Sequence, residues 1–406
     1  MRVAIETERQ DIFDVGIVIA MRVHISGKVT EDSLRSAFEK AVKSHEILNT
    51  RIVIEDDGKA FYVKDEQDKT MNTISFEDSP WMDVIHREEK IRMRLEDGQY
   101  LKAFVYEMDG EGCSILFLMH HLGGDGKSMV YFIETFMRCL AGESVEYLEM
   151  QTIPAGDMSD DALKDKVGPL MLLPKHFNKK WLEDEKHKVF TFDDLDKAFN
   201  EYWADKSSVI NEYVITPEMV SKILSRCKEW EIGFTAYITT SFLRRFGRKL
   251  EIGYAVDARE DGNRCMGNQA TGISIKYAYN YDKPFMWNAK KVQKLMNNKL
   301  EDDGARNFVL YFMAIFDPTL EDAMNLQHAG AFNSKTSKRI GNILGYGKKC
   351  NDLSITNLTK LDIPDTYGNL KLDYFSFIPP VISYGRNIIG LSTLGDCTVM
   401  TVHRIK

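Results

Sequence analysis

The residues of this chain best suited to chemistry are two adjacent histidines followed by an acid set between glycines, His120-His121-Leu122-Gly123-Gly124-Asp125-Gly126. A neutral imidazole, with an unperturbed pKa of about 6.5, accepts a proton near neutral pH. Held against a hydroxyl or amine, it speeds attack on an acyl group by about 10²–10⁴-fold. Successive strand side chains point to opposite faces, so His120 and His121 cannot both serve one metal or one substrate; one works and the other packs. Asp125 is placed to hold the loop through an ion pair. The glycines at 123, 124 and 126 let the main chain approach an acyl carbonyl closely. Amide N–H groups near Gly126, at the start of the next helix, are candidate donors to a tetrahedral oxyanion.

Two other readings compete. Gly124 to Ser128 imitates a phosphate-binding loop, but that pattern demands glycine at position 121, where this chain has histidine. Two core histidines beside a tight turn are the blander alternative, and the full seven-residue pattern at a strand-to-helix junction argues against it.

That junction follows from the flanking sequence. Cys113 to His121 is almost wholly apolar, as expected of a central strand covered on both faces, and Met129 to Leu140 reads as a helix that stops before Gly142. Open α/β sheets place reactive groups where a strand ends and a helix begins. Upstream, a strand over 15–23, a helix after Thr30, and a hairpin of Thr50–Glu55 and Lys59–Val63 around Asp57-Gly58 are predicted, with a helix near Trp81 to Leu95 and a strand at Leu101–Glu107. Downstream, Thr216 as cap and Pro217 at the first helical position start a helix reaching Trp230. A second helix spans Phe234–Phe246, a strand Leu250–Asp257, a strand Gly272–Ala278 and a helix Phe285–Leu300. Closing strands fall near 352–356, 372–378, 386–392 and 397–402.

A length of 406 residues exceeds what one hydrophobic core fills, so two units are expected: 1–150, a charged and irregular crossover over 151–206, and 207–406. The fold class is α/β, two subdomains that each mix a β-sheet with flanking helices. Net charge is −8 with both signs interspersed, which leaves no basic stripe for nucleic acid. The N-terminus lacks the apolar core of a secretory signal, and no stretch supplies the roughly 20 apolar residues of a membrane span; a soluble cytoplasmic protein is the expectation. Six single cysteines (Cys113, Cys139, Cys227, Cys265, Cys350 and Cys397) show no metal-site spacing and read as reduced, mostly buried thiols. No metal site is expected.

Taken together, the chain resembles the chloramphenicol acetyltransferase-like superfamily, in particular its condensation-domain and stand-alone acyltransferase branch. Besides His120 to Gly126, Ser44-His45-Glu46-Ile47-Leu48-Asn49-Thr50-Arg51 resembles that branch's early helix-to-strand motif. Val256-Asp257-Ala258-Arg259 with Gly267-Asn268 resembles the middle motif, and Ile355-Thr356-Asn357-Leu358 the late Ser-Asn segment, with threonine at 356 where serine is commoner. The plant-type Asp-Phe-Gly-Trp-Gly signature is absent. The resemblance implies a pseudo-dimer of two subdomains around a central tunnel, with His121 as general base, Asp125 as a structural acid paired to an arginine (Arg259 is the candidate) and Asn357 near the acyl carbonyl.

The implied function is thioester-dependent acyl transfer by direct attack, with Gly126 and His120 supporting the site. No tightly bound cofactor is implied. The donor would be acyl-CoA or a phosphopantetheinyl thioester on a carrier protein, supplied from outside these residues, and the acceptor a small-molecule alcohol or amine. The alternatives are a condensation enzyme that forms amides from carrier-bound substrates, and a non-catalytic scaffold, which the intact motif argues against.

Overall fold

A strand apolar on both faces is stable only when both are covered, and that requirement organises the first half of the molecule. In the computed structural model, which describes residues 2–64, 71–260, 262–347, 352–383 and 385–406, the motif strand Gly112–His120 is buried along its whole length. It lies inside a six-stranded sheet ordered Thr366–Tyr367, Leu370–Ile378, Val18–Ser26, Gly112–His120, Leu101–Tyr106, Thr73–Phe76. Neighbours are antiparallel except the last pair.

Helices Glu31–Ser44 and Gly126–Leu140 cover one face, where Phe38 and Phe117 meet Phe132 edge-on at centroid distances of 5.9 and 6.0 Å. The T-shaped approach places the positive ring edge against the negative face. On the other face Ala20, Leu116, Leu118 and Ile378 pack with Val84 and Ile85 of helix Trp81–Glu88 and with Ile210. The Asp57-Gly58 hairpin forms, Thr50–Ile54 against Ala60–Lys64, and Arg2–Ala4 extends it into a small third sheet.

The second half repeats this construction. Its sheet runs Ala270–Tyr277, Leu250–Asp257, Leu353–Lys360, Ile388–Leu394, Cys397–Ile405, Ser208–Ile215, with Leu353–Lys360 parallel to both neighbours. Ile252, Ile275, Ile355 and Ile389 bury against Ile223, Ala236, Leu243, Ala289 and Val292 of helices Pro217–Trp230, Phe234–Phe246 and Phe285–Leu300. Thr216 caps the first of these by accepting the Met219 N–H at 3.4 Å. The expected α/β class with two mixed sheets and flanking helices is therefore observed. No helix among the described residues is long and apolar enough to cross a membrane.

Two departures from the sequence reading bear on the site. The segment 151–206, read as irregular, carries helices Asp160–Val167, Leu172–Glu185 and Phe192–Trp203. They bury Phe177, Trp181, Leu195 and Trp203 in the main core, and the Trp181 indole N–H donates to Thr319 at 2.7 Å. The strand Leu370–Ile378, although downstream of 207, joins the first sheet beside Val18–Ser26. It is tied back to the second sheet, because Ser392 and Thr401 hydroxyls donate to the Phe375 and Phe377 carbonyls at 3.2 and 2.6 Å. Sheet membership thus crosses the proposed division at 207.

Phe377 is 2 % exposed on this crossing strand. Phe377→Ala is expected to cost about 3–5 kcal/mol in denaturant unfolding; a loss below about 1 kcal/mol would show that the crossing strand is not packed as described.

Candidate active site

The motif strand delivers its histidines in two different ways. The His120 N–H donates to the Tyr100 carbonyl at 2.9 Å, and its Nδ1 accepts the Leu122 N–H at 3.2 Å, closing the turn His121–Gly123. Burial pushes its imidazole down to about 3, with the charges of His121 and Arg92 adding to the effect. The His120 ring is thus neutral and held inside the turn.

The His121 main chain is fixed at both ends, its N–H donating to the Ile17 carbonyl at 3.2 Å and its carbonyl accepting the Gly124 N–H at 3.0 Å. Its ring is 16 % exposed. Nδ1 is enclosed without a hydrogen-bond partner, 3.7 Å from the Asp11 carboxylate, which leaves the Nε2 edge as the open one. Burial lowers its pKa, Arg259 lowers it further, and Asp125 and the residue's own carbonyl oppose the shift. The free ring is thus unprotonated near neutral pH, the form a general base requires.

Asp125 and Arg259, proposed as partners from the sequence, form a two-pronged pair in which Nη1 and Nη2 of Arg259 donate to Oδ2 and Oδ1 at 2.7 and 2.9 Å. Such fork-on-fork contacts combine charge with directional bonds. Asp125 also caps helix Gly126–Leu140 by accepting the Ser128 N–H at 2.9 Å, and it accepts the Gln269 N–H at 3.0 Å. Burial alone would raise its pKa; the Arg259 charge and hydrogen bonds, with these two N–H groups, hold it below the usual carboxylate range.

Arg259 reaches further, to the Gly267 carbonyl at 3.0 Å, the Asp257 carboxylate at 3.0 Å and the Ser128 hydroxyl at 2.7 Å. Ser128, fully buried, donates to the Gly267 carbonyl at 2.9 Å and accepts its N–H at 3.2 Å. Its oxygen is saturated and unavailable as a nucleophile. Glycine is required at 124 and 267, where φ is +143° and +152°. A Cβ would run into the Ser128 side chain at the first and the Gln151 carbonyl at the second. The first-turn N–H groups of Gly126 and Lys127 make no hydrogen bond among the described residues, as expected at a helix start.

The Asn357 Nδ2 donates to Thr235 at 2.9 Å and its Oδ1 accepts the Thr359 N–H at 2.8 Å, while the next residue, Leu358, packs against Gly126 of the motif. The Cys113 thiol is pushed up to about 12 by burial, and Cys139, Cys227, Cys265 and Cys397 are also raised; Cys350 lies outside the described residues. None of the five is an activated thiolate.

Sequence reasoning missed a group of buried acids beside the base. Glu8 accepts the Tyr62 hydroxyl at 2.7 Å, and Tyr62 also contacts the Leu122 carbonyl at 3.0 Å. Asp11 accepts the Asn268 amide at 2.9 Å. Burial pushes both acids up to about 8; the Tyr62 bond opposes this at Glu8, while at Asp11 the Asp14 charge adds to it and Asn268 opposes. The available signal was acids at every third position, Glu8, Asp11 and Asp14, just ahead of an apolar strand.

Residues 15–152, which span the strand, turn and helix of the motif, match the family model described as the Condensation domain. The chain has the condensation-domain fold. The condensation domain of the monacolin K polyketide synthase MokA superposes with a TM-score of 0.63 at 10 % identity, covering 100 % of this chain and 92 % of that one. For the first condensation domain of the CDA synthetase the values are 0.61, 12 %, 98 % and 87 %. Polyketide synthase associated protein 5 from Mycobacterium tuberculosis gives 0.61, 10 %, 100 % and 94 %. No curated protein matches the sequence. The condensation-domain fold agrees with the resemblance read from the motif, including its two subdomains of chloramphenicol acetyltransferase type.

Two outcomes follow from the site. Asp125 and Arg259 side chains are 6 % and 3 % exposed, so Asp125→Asn or Arg259→Gln alone should cost about 3–5 kcal/mol. The double variant should be little worse than either, and additive losses in a double-mutant cycle would dissolve the pair. Glu8 is uncharged in the fold up to about pH 8 but ionises above 4.5 when unfolded. Its stability contribution is therefore fully present below pH 4.5 and is lost as pH rises through 8. Glu8→Gln should leave Tm unchanged near pH 4.5 and raise it at pH 8; an equal shift at both would contradict the buried neutral acid.

Proposed function

We propose that the chain is a condensation-type acyl-transfer enzyme that joins an acyl group, carried as a phosphopantetheinyl thioester on a carrier protein, to the amine of a second carrier-bound substrate. The observation that carries this reading is His121 itself, an unprotonated ring with its Nδ1 edge enclosed and its main chain fixed at both ends. As the amine nitrogen attacks the thioester carbonyl, Nε2 takes its proton while the C–N bond forms. The oxyanion is received by first-turn N–H groups at Gly126 and Lys127, which sit at the positive end of the helix macrodipole. Collapse breaks the C–S bond, and the departing thiolate takes the proton that His121 holds.

Direct attack needs no enzyme nucleophile, in keeping with the saturated Ser128 hydroxyl and the raised thiol pKa values. Asp125, Arg259 and Gly267 position the loop. Transfer from free acyl-CoA to an alcohol or amine, the first reading from the sequence, uses the same base. The match of residues 15–152 to the condensation domain supports the amide-forming reading better.

Incubating the protein with acyl- and aminoacyl-loaded carrier proteins should give an amide detected by mass spectrometry, and acyl-CoA with free amine should give little. Turnover confined to the CoA pair would overturn the carrier-bound reading. His121→Ala should reduce turnover at least about 10²-fold without unfolding the protein, and His120→Ala should cost mainly stability. Wild-type turnover in His121→Ala would remove the base from this role.

A further inference from the structure

Away from the motif turn, helices Phe192–Trp203 and Pro318–Ala329, the segment after Ile378 and the end of strand Cys397–Ile405 enclose a cavity of about 400 Å³. That volume falls within the range of small-ligand pockets. Two exposed arginines line it, Arg386 and Arg404, and neither has an acid or any other hydrogen-bond acceptor among the described residues. By contrast Arg92, Arg259 and Arg264 each meet two carboxylates. The cavity also holds two polar side chains without a hydrogen bond among the described residues, Tyr202 and His328, whose rings meet at a centroid distance of 5.5 Å. Burial raises the Tyr202 phenol and lowers the His328 imidazole, so each is neutral and offers one donor.

The segment that carries Arg386 is pinned, and it leads to the base. The His403 Nδ1 donates to the Pro379 carbonyl at 2.8 Å, and the two Asp14 oxygens accept the Gly16 and Ser383 N–H groups, each at 2.9 Å. The Val381 carbonyl lies against Gly16, where a Cβ would collide with it, and the next residue, Ile17, accepts the His121 N–H at 3.2 Å. By standard backbone dimensions the path from the Val381 carbonyl to the His121 nitrogen is at most about 13 Å. Val381 and Ile405 also line a second, apolar cavity of about 60 Å³, together with Val18, Ala20 and Leu118 of the motif sheet.

Two uncommitted guanidinium forks beside hydroxyl and imidazole donors suit a phosphate ester, whose oxygens accept several charge-assisted bonds at once. A pantetheine arm carries such an ester at one end and, about 15 Å away when extended, the thioester sulfur at the other. We propose that Arg386 and Arg404 bind the phosphate of a pantetheine arm that passes Val381 and brings its thioester to His121; this rests on the reading of His121 given above. The apolar wall at Val381 and Ile405 suits the methyl and methylene carbons of the arm. The phosphodiester of a loaded carrier protein and the diphosphate of acyl-CoA share this chemistry.

The test titrates phosphopantetheine and pantetheine, which differ only by the phosphate, into wild type, Arg386→Gln, Arg404→Gln and His121→Ala by calorimetry. Wild type and His121→Ala should bind phosphopantetheine at least about tenfold more tightly than pantetheine. Each arginine variant should lose most of that preference at an unchanged Tm, since both side chains are exposed. In turnover the arginine variants should raise one KM at least about fivefold with kcat within about twofold, because the phosphate is remote from the reacting atoms. The substrate whose KM rises, loaded carrier or acyl-CoA, identifies the source of the phosphate. Equal binding of the two ligands by wild type, or a full preference in both arginine variants, would overturn this inference alone. A phosphate preference in a protein that forms no amide from loaded carriers would instead overturn the carrier-bound function.

Discussion

The ion pair between Asp125 and Arg259 joins a loop of the first sheet to the segment after a strand of the second. Taking two charges out of water costs several kcal/mol per ion, and the cost is offset only when nearly every lone pair and N–H is used. That condition is close to met here: Asp125 receives four donors, and the two Nη groups of Arg259 bind Asp125, Asp257, Ser128 and Gly267. Ser128 and Gly267 are bound directly by this pair. The pair therefore acts as a rivet that registers the two halves against each other and sets the loop carrying His121.

Around this well-satisfied pair lies a region that is poorly satisfied. Glu8, Asp11, Asp14, Glu321 and Asp322 are all buried, with pKa values raised by burial, and the neighbouring Arg9 is committed to Asp322. A chain selected for stability alone would not keep so many carboxyls out of water. Perturbed acids gathered beside a candidate base are what a site gives up stability to hold.

The motif with its strand and helix was legible in the sequence because spacing carries it, whereas the Asp125–Arg259 partnership, between positions 134 residues apart, came only from the resemblance. Helices Pro217–Trp230 and Phe285–Leu300 were legible from a cap and a regular apolar stripe. The helices Asp303–Met313, Pro318–Ala329 and Lys335–Leu344 were not, although Asp302, Asp317-Pro318 and Ser334 mark their starts. Pro318–Ala329 buries Glu321, Asp322 and Asn325 along with Leu320 and Leu326, so no clean apolar period survives. Over 151–206 the charged residues masked the buried Phe177, Trp181 and Trp203. The contact of Asp11 with Asn268 joins positions 257 residues apart, and no spacing rule reaches that far.

The central claim is that His121 activates the acceptor directly and that no side chain carries the acyl group. Intact-protein mass spectrometry after incubation with a loaded donor and no acceptor tests it most directly. The account predicts unmodified mass, with acyl transfer appearing only when amine is added. A stoichiometric acyl adduct on one side chain, discharged by the acceptor, would contradict it and move the chemistry to that residue.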